Sequence, residues 1–120
     1  MKLLTKAIRE KLLKNGEALA AYDRGETEVS PSFFPVVKLF TPDASCTWLL
    51  TDLDPEETDI AFGLCDLGMG FPELGSVRIS EITALRGKLG LPVERDMYFT
   101  ADKTISEYAD DARTAQCIQV

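Results

Sequence analysis

The spacing of the apolar segments between residues 36 and 79 constrains the fold more than any other feature of this chain. Short runs rich in β-branched, aliphatic and aromatic residues, a composition typical of β-strands, occupy residues 36–40, 46–51, 60–65 and 74–79. The connections between successive runs contain at most eight residues, whereas a crossover between parallel strands needs about a dozen or more. The sequence therefore predicts an antiparallel sheet of about four strands.

Helical signals precede the predicted sheet. Thr5 is suited to cap a helix that runs to about Lys14, and Asn15-Gly16 is a typical helix stop. A second, weaker helical stretch is predicted for residues 17–22. Residues 23–35 contain proline, glycine and serine and are predicted to form a loop.

Further helical signals follow the sheet. Ser80 is suited to cap a short helix over residues 81–86. Thr104 and Glu107 match a capping box that opens a last helix, ending near Gln116. Together these elements predict a small α+β fold with an N-terminal helix and short C-terminal helices. We expect residues 1–103 to form a single domain and residues 104–120 a helical tail that can dock on it.

The residue types that usually carry catalysis are scarce in this chain. Histidine is absent and there are three cysteines, Cys46, Cys65 and Cys117. Triads that need histidine, zinc sites with histidine and C-x-x-C redox pairs are therefore excluded within the chain. Cys65 has no adjacent lysine to lower its pKa, so a packing role is expected. The sequence predicts no cofactor and no metal.

The cysteine count and the hydropathy pattern also bear on the cellular compartment. An odd number of scattered cysteines is unlike a secreted disulfide framework, and we expect reduced thiols in a cytoplasmic protein. No apolar run approaches the roughly 18 residues of a membrane span. Charges at residues 6, 9, 10 and 11 interrupt any signal-peptide core. The sequence therefore predicts neither export nor contact with a membrane.

Charge is distributed unevenly along the chain, whose net charge is −7. Residues 1–16 carry five basic side chains and one acidic one, a net charge of +4. Residues 17–120 carry eight basic and nineteen acidic side chains, a net charge of −11. An acidic body of this size repels phosphate backbones and attracts basic surfaces. We therefore expect no direct binding of nucleic acid and a protein partner with a basic surface.

Residues 52–59 contain five acidic side chains and no basic one. A calcium loop is a poor fit, because Asp52 and Asp54 match the EF-hand pattern but Glu57 and Gly63 occupy its glycine and glutamate positions. A carboxylate pair for hydrolysis is a second possibility, although nothing in the sequence selects a pair. A plain solvated loop is a third.

An acidic docking surface is the remaining interpretation of this segment. In an extended chain, Asp52, Asp54 and Glu56 would project the same way, about 6.6 Å apart. Such a row could imitate a line of phosphates in the basic groove of another protein.

A second polar cluster, Glu94-Arg95-Asp96, lies between a proline and two aromatic residues. Arg95 is suited to bind a carboxylate or a phosphate in a bidentate manner. The alternative is an internal ion pair of Arg95 with the acidic loop or with Asp66, which would fix this segment against the sheet.

Several short motifs follow one another along the chain: Leu3-Leu4-Thr5-Lys6, Lys38-Leu39-Phe40-Thr41-Pro42-Asp43 before Trp48, Asp52-Leu53-Asp54-Pro55-Glu56, Phe62-Gly63-Leu64-Cys65-Asp66, Pro72-Glu73-Leu74-Gly75, and Gly90-Leu91-Pro92-Val93-Glu94-Arg95-Asp96-Met97-Tyr98-Phe99. Their order resembles the domain-of-unknown-function 2958 family of small bacterial proteins. The resemblance spans about residues 3–100 and leaves the last twenty residues outside. It implies carriage on plasmids, phages and other mobile elements, and it implies no known activity.

The leading hypothesis is a small, acidic, non-enzymatic interaction protein that binds a basic surface of another protein. The mobile-element setting suggests an inhibitor of a host defence enzyme that mimics nucleic acid. The alternative is a metal- or nucleotide-dependent hydrolase that uses the loop carboxylates with Arg95, and a regulatory subunit of an oligomer is a third possibility. The predicted interaction residues are Asp52, Asp54, Glu56, Glu57, Asp59, Asp66, Glu94, Arg95 and Asp96.

Overall fold

The computed structural model describes residues 2–120 and contains helices and strands in an α+β arrangement. In chain order the elements are α1 (Lys6–Asp23), β1 (Val37–Phe40), β2 (Thr47–Leu53), β3 (Ile60–Asp66), β4 (Glu73–Arg78), α2 (Ile79–Ala84), β5 (Glu94–Arg95) and α3 (Ile105–Ala115). Residues 24–36 form no helix or strand, in line with the predicted loop.

The sheet is antiparallel and has the strand order β4-β3-β2-β1-β5. Neighbours β1 to β4 follow the chain, as the short connections predict. The fifth strand, β5, is a correction to the predicted number of about four. Its two residues pair with Leu39 and Phe40 of β1, and a strand this short has no period of its own that a sequence pattern could reveal.

Helix α1 is longer than predicted. Thr5 caps it as expected, with its hydroxyl accepting a hydrogen bond from the Ile8 amide. The predicted stop at Asn15-Gly16 is wrong, because these two residues dock the helix on the sheet. Gly16 is buried where a Cβ atom would overlap the carbonyl oxygen of Leu53. The Asn15 side chain donates a 2.9 Å hydrogen bond to the Thr51 carbonyl oxygen.

Strand β2 extends beyond its predicted end at Thr51. Its register with β3 shifts between Leu50 and Asp52, which marks a β-bulge. The Asn15 side chain bonds the Thr51 carbonyl oxygen at this bulge, and the strand continues to Leu53. Asp52 therefore lies in a strand, and it is 6% exposed.

Apolar side chains fill both faces of the sheet. The first core, between α1, α2 and the sheet, contains Leu3, Leu4, Leu12, Val37, Leu39, Trp48, Leu50, Leu53, Ala61, Ile79, Ile82 and Val93. The second core, between α3 and the opposite face, contains Leu49, Leu64, Ile105, Tyr108, Ala109 and Ala112. Leu49 and Leu50 belong to different cores because successive side chains of a strand point to opposite faces.

Helix α3 has the predicted capping box and ends close to the predicted residue. The Thr104 hydroxyl accepts from the Glu107 amide, and the Glu107 carboxylate accepts from the Thr104 amide. Four of its apolar residues, Ile105, Tyr108, Ala109 and Ala112, are buried. Residues 104–120 therefore contribute directly to the second core.

Helix α2 corrects the prediction that Ser80 is an N-cap. The helix begins at Ile79, with Arg78 at the cap position and no capping side chain of its own. Instead, the Asp59 carboxylate accepts hydrogen bonds from the Ser80 amide at 2.9 Å and the Ser80 hydroxyl at 2.6 Å. A residue of the β2–β3 turn thus satisfies the start of α2.

Candidate functional site

The acidic segment does not form the predicted row of carboxylates. Asp52 is buried in β2, while residues 55–59 form bends and turns. The Asp54 carboxylate accepts a 2.9 Å hydrogen bond from the Glu56 amide, which folds the segment back on itself. Asp54, Glu56 and Glu57 remain exposed. The equal spacing of an extended chain is therefore lost, although three exposed carboxylates still lie in one turn.

Asp59 and Asp66 form hydrogen bonds that support the fold. Asp59 binds Ser80, and these hydrogen bonds, together with Arg78, lower its pKa. Asp66 is 4% exposed and accepts from the amides of Gly68 at 2.8 Å and Ile118 at 3.0 Å. It therefore closes the β3–β4 turn and holds the residues that follow α3.

The Glu94-Arg95-Asp96 cluster lies elsewhere, at the β5 edge of the sheet. Arg95 donates 2.8 Å hydrogen bonds to the carbonyl oxygens of Lys2 and Leu3. The predicted ion pair of Arg95 with the acidic loop or with Asp66 is thus not formed. Asp96 pairs with Lys38 at 3.3 Å, and its pKa is lowered chiefly by a hydrogen bond from the Tyr98 amide.

The structure therefore does not bring the predicted residues into one site. Glu94, Arg95 and Asp96 line a separate groove with Met97 and Tyr98. The hydrolase alternative needs Arg95 beside the loop carboxylates, and that arrangement is not present.

A cleft does form where the second half of α1 crosses the ends of β2 and β3. Its volume is about 240 Å³, and we call it the Asp52 cleft. The residues that line it are Gly16, Leu19, Ala20, Asp23, Asp52, Leu53, Asp54, Pro55, Ile60, Ala61, Phe62 and Ser76. Its walls are mainly apolar, and its charged groups are three carboxylates.

Asp52 is the unusual carboxylate of this cleft. The Thr51 hydroxyl donates a 2.6 Å hydrogen bond to its Oδ1 atom. Across residues 2–120, no lysine or arginine forms an ion pair with Asp52, Asp23 or Asp54. Burial raises the pKa of Asp52; the bond from Thr51 opposes this effect and the charge of Asp54 adds to it. A buried acid without a counterion is costly to the fold.

We expect Asp52→Asn to stabilise the protein at neutral pH. The folded state binds the Asp52 proton more tightly than the unfolded chain, so the stability that Asp52 contributes is complete below its unfolded pKa. That contribution is lost as the pH rises through the folded pKa. The free energy of unfolding, measured with urea at pH 7, should therefore be higher for D52N than for wild type. The difference should shrink at low pH.

The control for this measurement is Asp54→Asn, which removes one charge from the same end of the molecule at an exposed position. A D52N protein that is less stable than wild type at pH 7 would contradict the inference that the buried Asp52 carboxylate destabilises the fold.

Sequence reasoning missed Asp23 as a member of this site. The predicted stop at Gly16 ends the first helix before it can reach the β2–β3 turn. The only available signal was the helical stretch over residues 17–22, which continues α1 directly.

Within residues 2–120, no group of three acidic, cysteine or histidine side chains is arranged to hold a metal ion.

Cys65 fits the packing role expected of it. Its side chain packs against the first core, and burial raises the pKa of its thiol to about 11. The thiolate is the nucleophilic form, and the raised pKa disfavours it at neutral pH.

Comparison with known proteins gives one finding. A family model described as "Protein of unknown function (DUF2958)" matches residues 3–119. No curated protein and no solved structure matches the chain. The family match includes α3, which corrects the expectation that the last twenty residues lie outside the pattern; the burial of α3 in the second core gives the physical reason. In residues 2–120, none of the helices has the length and apolar character that crossing a membrane requires.

Proposed function

Because the chain belongs to the DUF2958 family, whose description assigns no activity, we propose a function from its own surface: a non-catalytic protein that binds a basic surface of another protein. The region that makes this contact is the acidic end, which we define as Asp23, Asp52, Asp54, Glu56 and Glu57. The single observation that carries the proposal is that Asp23, Asp52 and Asp54 line the Asp52 cleft, Glu56 and Glu57 follow in the adjoining turn, and none of the five has an ion pair in residues 2–120.

The distribution of charge supports this assignment. The basic residues Lys6, Arg9, Lys11 and Lys14 lie in the first half of α1, whereas the acidic end lies at the other end of the helix. Arg24 adjoins the acidic end but is paired with Glu26. Charges of opposite sign on a partner would steer association and fix its orientation. The mobile-element setting that the family resemblance implies makes a host nucleic-acid-handling enzyme a suitable source of such a surface.

We expect the triple variant Asp54→Asn, Glu56→Gln, Glu57→Gln to bind its partner about tenfold more weakly. Exposed ion pairs contribute about 0.5 kcal/mol each, and three of them amount to about a factor of ten. The measurement is quantitative capture from host lysate over a salt series, followed by a binding titration with the captured protein.

A control for net charge carries Glu73→Gln, Asp110→Asn and Asp111→Asn, the last two of which are paired with Arg113 and Lys103. These substitutions change the net charge equally but lie outside the acidic end, on β4 and α3. We expect the control to bind the captured partner as tightly as the wild type does, and the triple variant to bind it more weakly. Equal recovery of every captured protein by the wild type and the triple variant would overturn it.

A further inference from the structure

We propose that the Asp52 cleft is a socket for a single arginine side chain of the partner protein. This inference rests on the proposed function and names the group that the acidic end recognises. It is argued from the size of the cleft, the state of Asp52 and the chemistry of the walls.

The size of the cleft favours one side chain. Pockets for drug-sized ligands and cofactors occupy about 300–1,000 Å³, whereas this cleft has a volume of about 240 Å³. It is formed by rigid elements, since α1, β2 and β3 contribute most of its walls. A binding site built on such elements keeps its shape before the partner arrives.

The state of Asp52 indicates a cation. Asp52 is 6% exposed and lines the cleft, and its Oδ2 atom is accessible to solvent. Its Oδ1 atom accepts from Thr51, and no donor in residues 2–120 bonds its Oδ2 atom. A buried carboxylate gains most from a charged hydrogen-bond donor. Asp23 and Asp54, which line the same cleft and are exposed, supply further negative charge at its opening.

The walls distinguish arginine from other cations. Leu19, Ile60 and Phe62 are partly exposed and offer apolar surface along which the methylene stem of a long basic side chain can lie. The guanidinium group is planar, weakly hydrated and able to bond a carboxylate through two N–H groups. A metal ion would need several oxygen ligands around it, whereas no group of three candidate ligands is so placed in residues 2–120.

The test uses Nα-acetyl-arginine-N-methylamide as the probe and amide chemical shifts of the full chain as the readout. We expect saturable shifts at Gly16, Leu53 and Ala61, and none with the uncharged citrulline analogue. The lysine analogue should bind more weakly; equal affinity of the two would overturn the assignment to arginine. Absence of shifts at the cleft would overturn the socket itself.

Two variants separate binding from folding. Asp52→Asn removes the charge and is expected to be more stable than wild type, so a loss of binding cannot come from unfolding. Ala20→Leu fills the cleft without changing charge, and Ala18→Leu is its matched control, because Ala18 is an exposed residue of the same helix. D52N and A20L should weaken probe binding by about tenfold or more, the loss expected for a charge-assisted hydrogen bond, and A18L should leave it unchanged.

The same variants separate the socket from the wider function. If the partner depends on Asp54, Glu56 and Glu57 but binds D52N and A20L as well as wild type, the socket is wrong and the acidic surface stands. If the probe binds the cleft but no captured protein depends on the acidic end, the proposed function fails while the affinity for arginine remains.

Discussion

Replacing Tyr108 with alanine is expected to destabilise the whole protein by about 4 kcal/mol, the cost typical of removing a buried aromatic side chain. Tyr108 is 4% exposed and lies in the second core. Its ring centroid is 6.4 Å from that of Phe99, and its hydroxyl donates a 2.9 Å hydrogen bond to Asp102. Urea unfolding monitored by circular dichroism measures the loss.

The result also decides whether residues 104–120 are a tail or part of the domain. Leu49 of β2 and Leu64 of β3 are fully buried and share the second core with Tyr108. If α3 were a peripheral tail, Tyr108→Ala would release it and leave the unfolding of the sheet unchanged. We expect instead one cooperative transition at lower urea, with faster amide exchange in β2 and β3.

Tyr108→Phe is the conservative control for this substitution. It keeps the ring and removes only the hydroxyl that bonds Asp102, so the free energy of unfolding should fall by about 1 kcal/mol. Equal effects of the alanine and phenylalanine variants would show that the hydrogen bond, and not the packing of the ring, holds α3 on the sheet.

Local signals predicted the parts of the fold that depend on neighbours in the sequence. The short connections between strands exclude parallel crossovers whatever the rest of the chain does. The caps at Thr5 and Thr104 involve side chains and amides three residues apart. The buried residues of α3 recur at helical spacing, which is also a local signal.

Contacts between distant segments account for the errors. Asp59 replaces Ser80 as the group that satisfies the start of α2, and these residues are twenty-one positions apart. Arg95, a candidate ligand-binding group in the sequence, instead donates hydrogen bonds to the carbonyl oxygens of Lys2 and Leu3, more than ninety positions away. A sequence pattern shows which groups need partners, and only the tertiary fold decides which partner each group finds.

The candidate site illustrates the same limit. The acidic composition of residues 52–59 was visible, but the continuation of β2 past a bulge, which places Asp52 in a strand, was not. Helix α1 reaches this bulge, where the Asn15 side chain bonds the Thr51 carbonyl oxygen. The cleft therefore exists only when the helix continues through Gly16, which is the residue that the sequence marks as a helix stop.

Replacing Gly16 with alanine is expected to destabilise the protein, although helix propensity alone predicts the opposite. In a helix interior, alanine is favoured over glycine by about 1 kcal/mol. In this helix, however, the added Cβ atom would overlap the Leu53 carbonyl oxygen and lie 2.9 Å from the Leu53 carbonyl carbon. Both atoms belong to the backbone of β2 and cannot rotate away, so α1 must move off the sheet.

We expect the steric overlap to cost about 3 kcal/mol, the upper end of the range for overpacking. After the gain in helix propensity, the free energy of unfolding should fall by about 2 kcal/mol. Gly75→Ala is the matched control, since nothing lies within 4 Å of a Cβ atom at that position of β4. Urea unfolding of both variants measures the difference. A more stable G16A protein would mean that α1 does not approach β2 this closely, and the Asp52 cleft would then lose one of its walls.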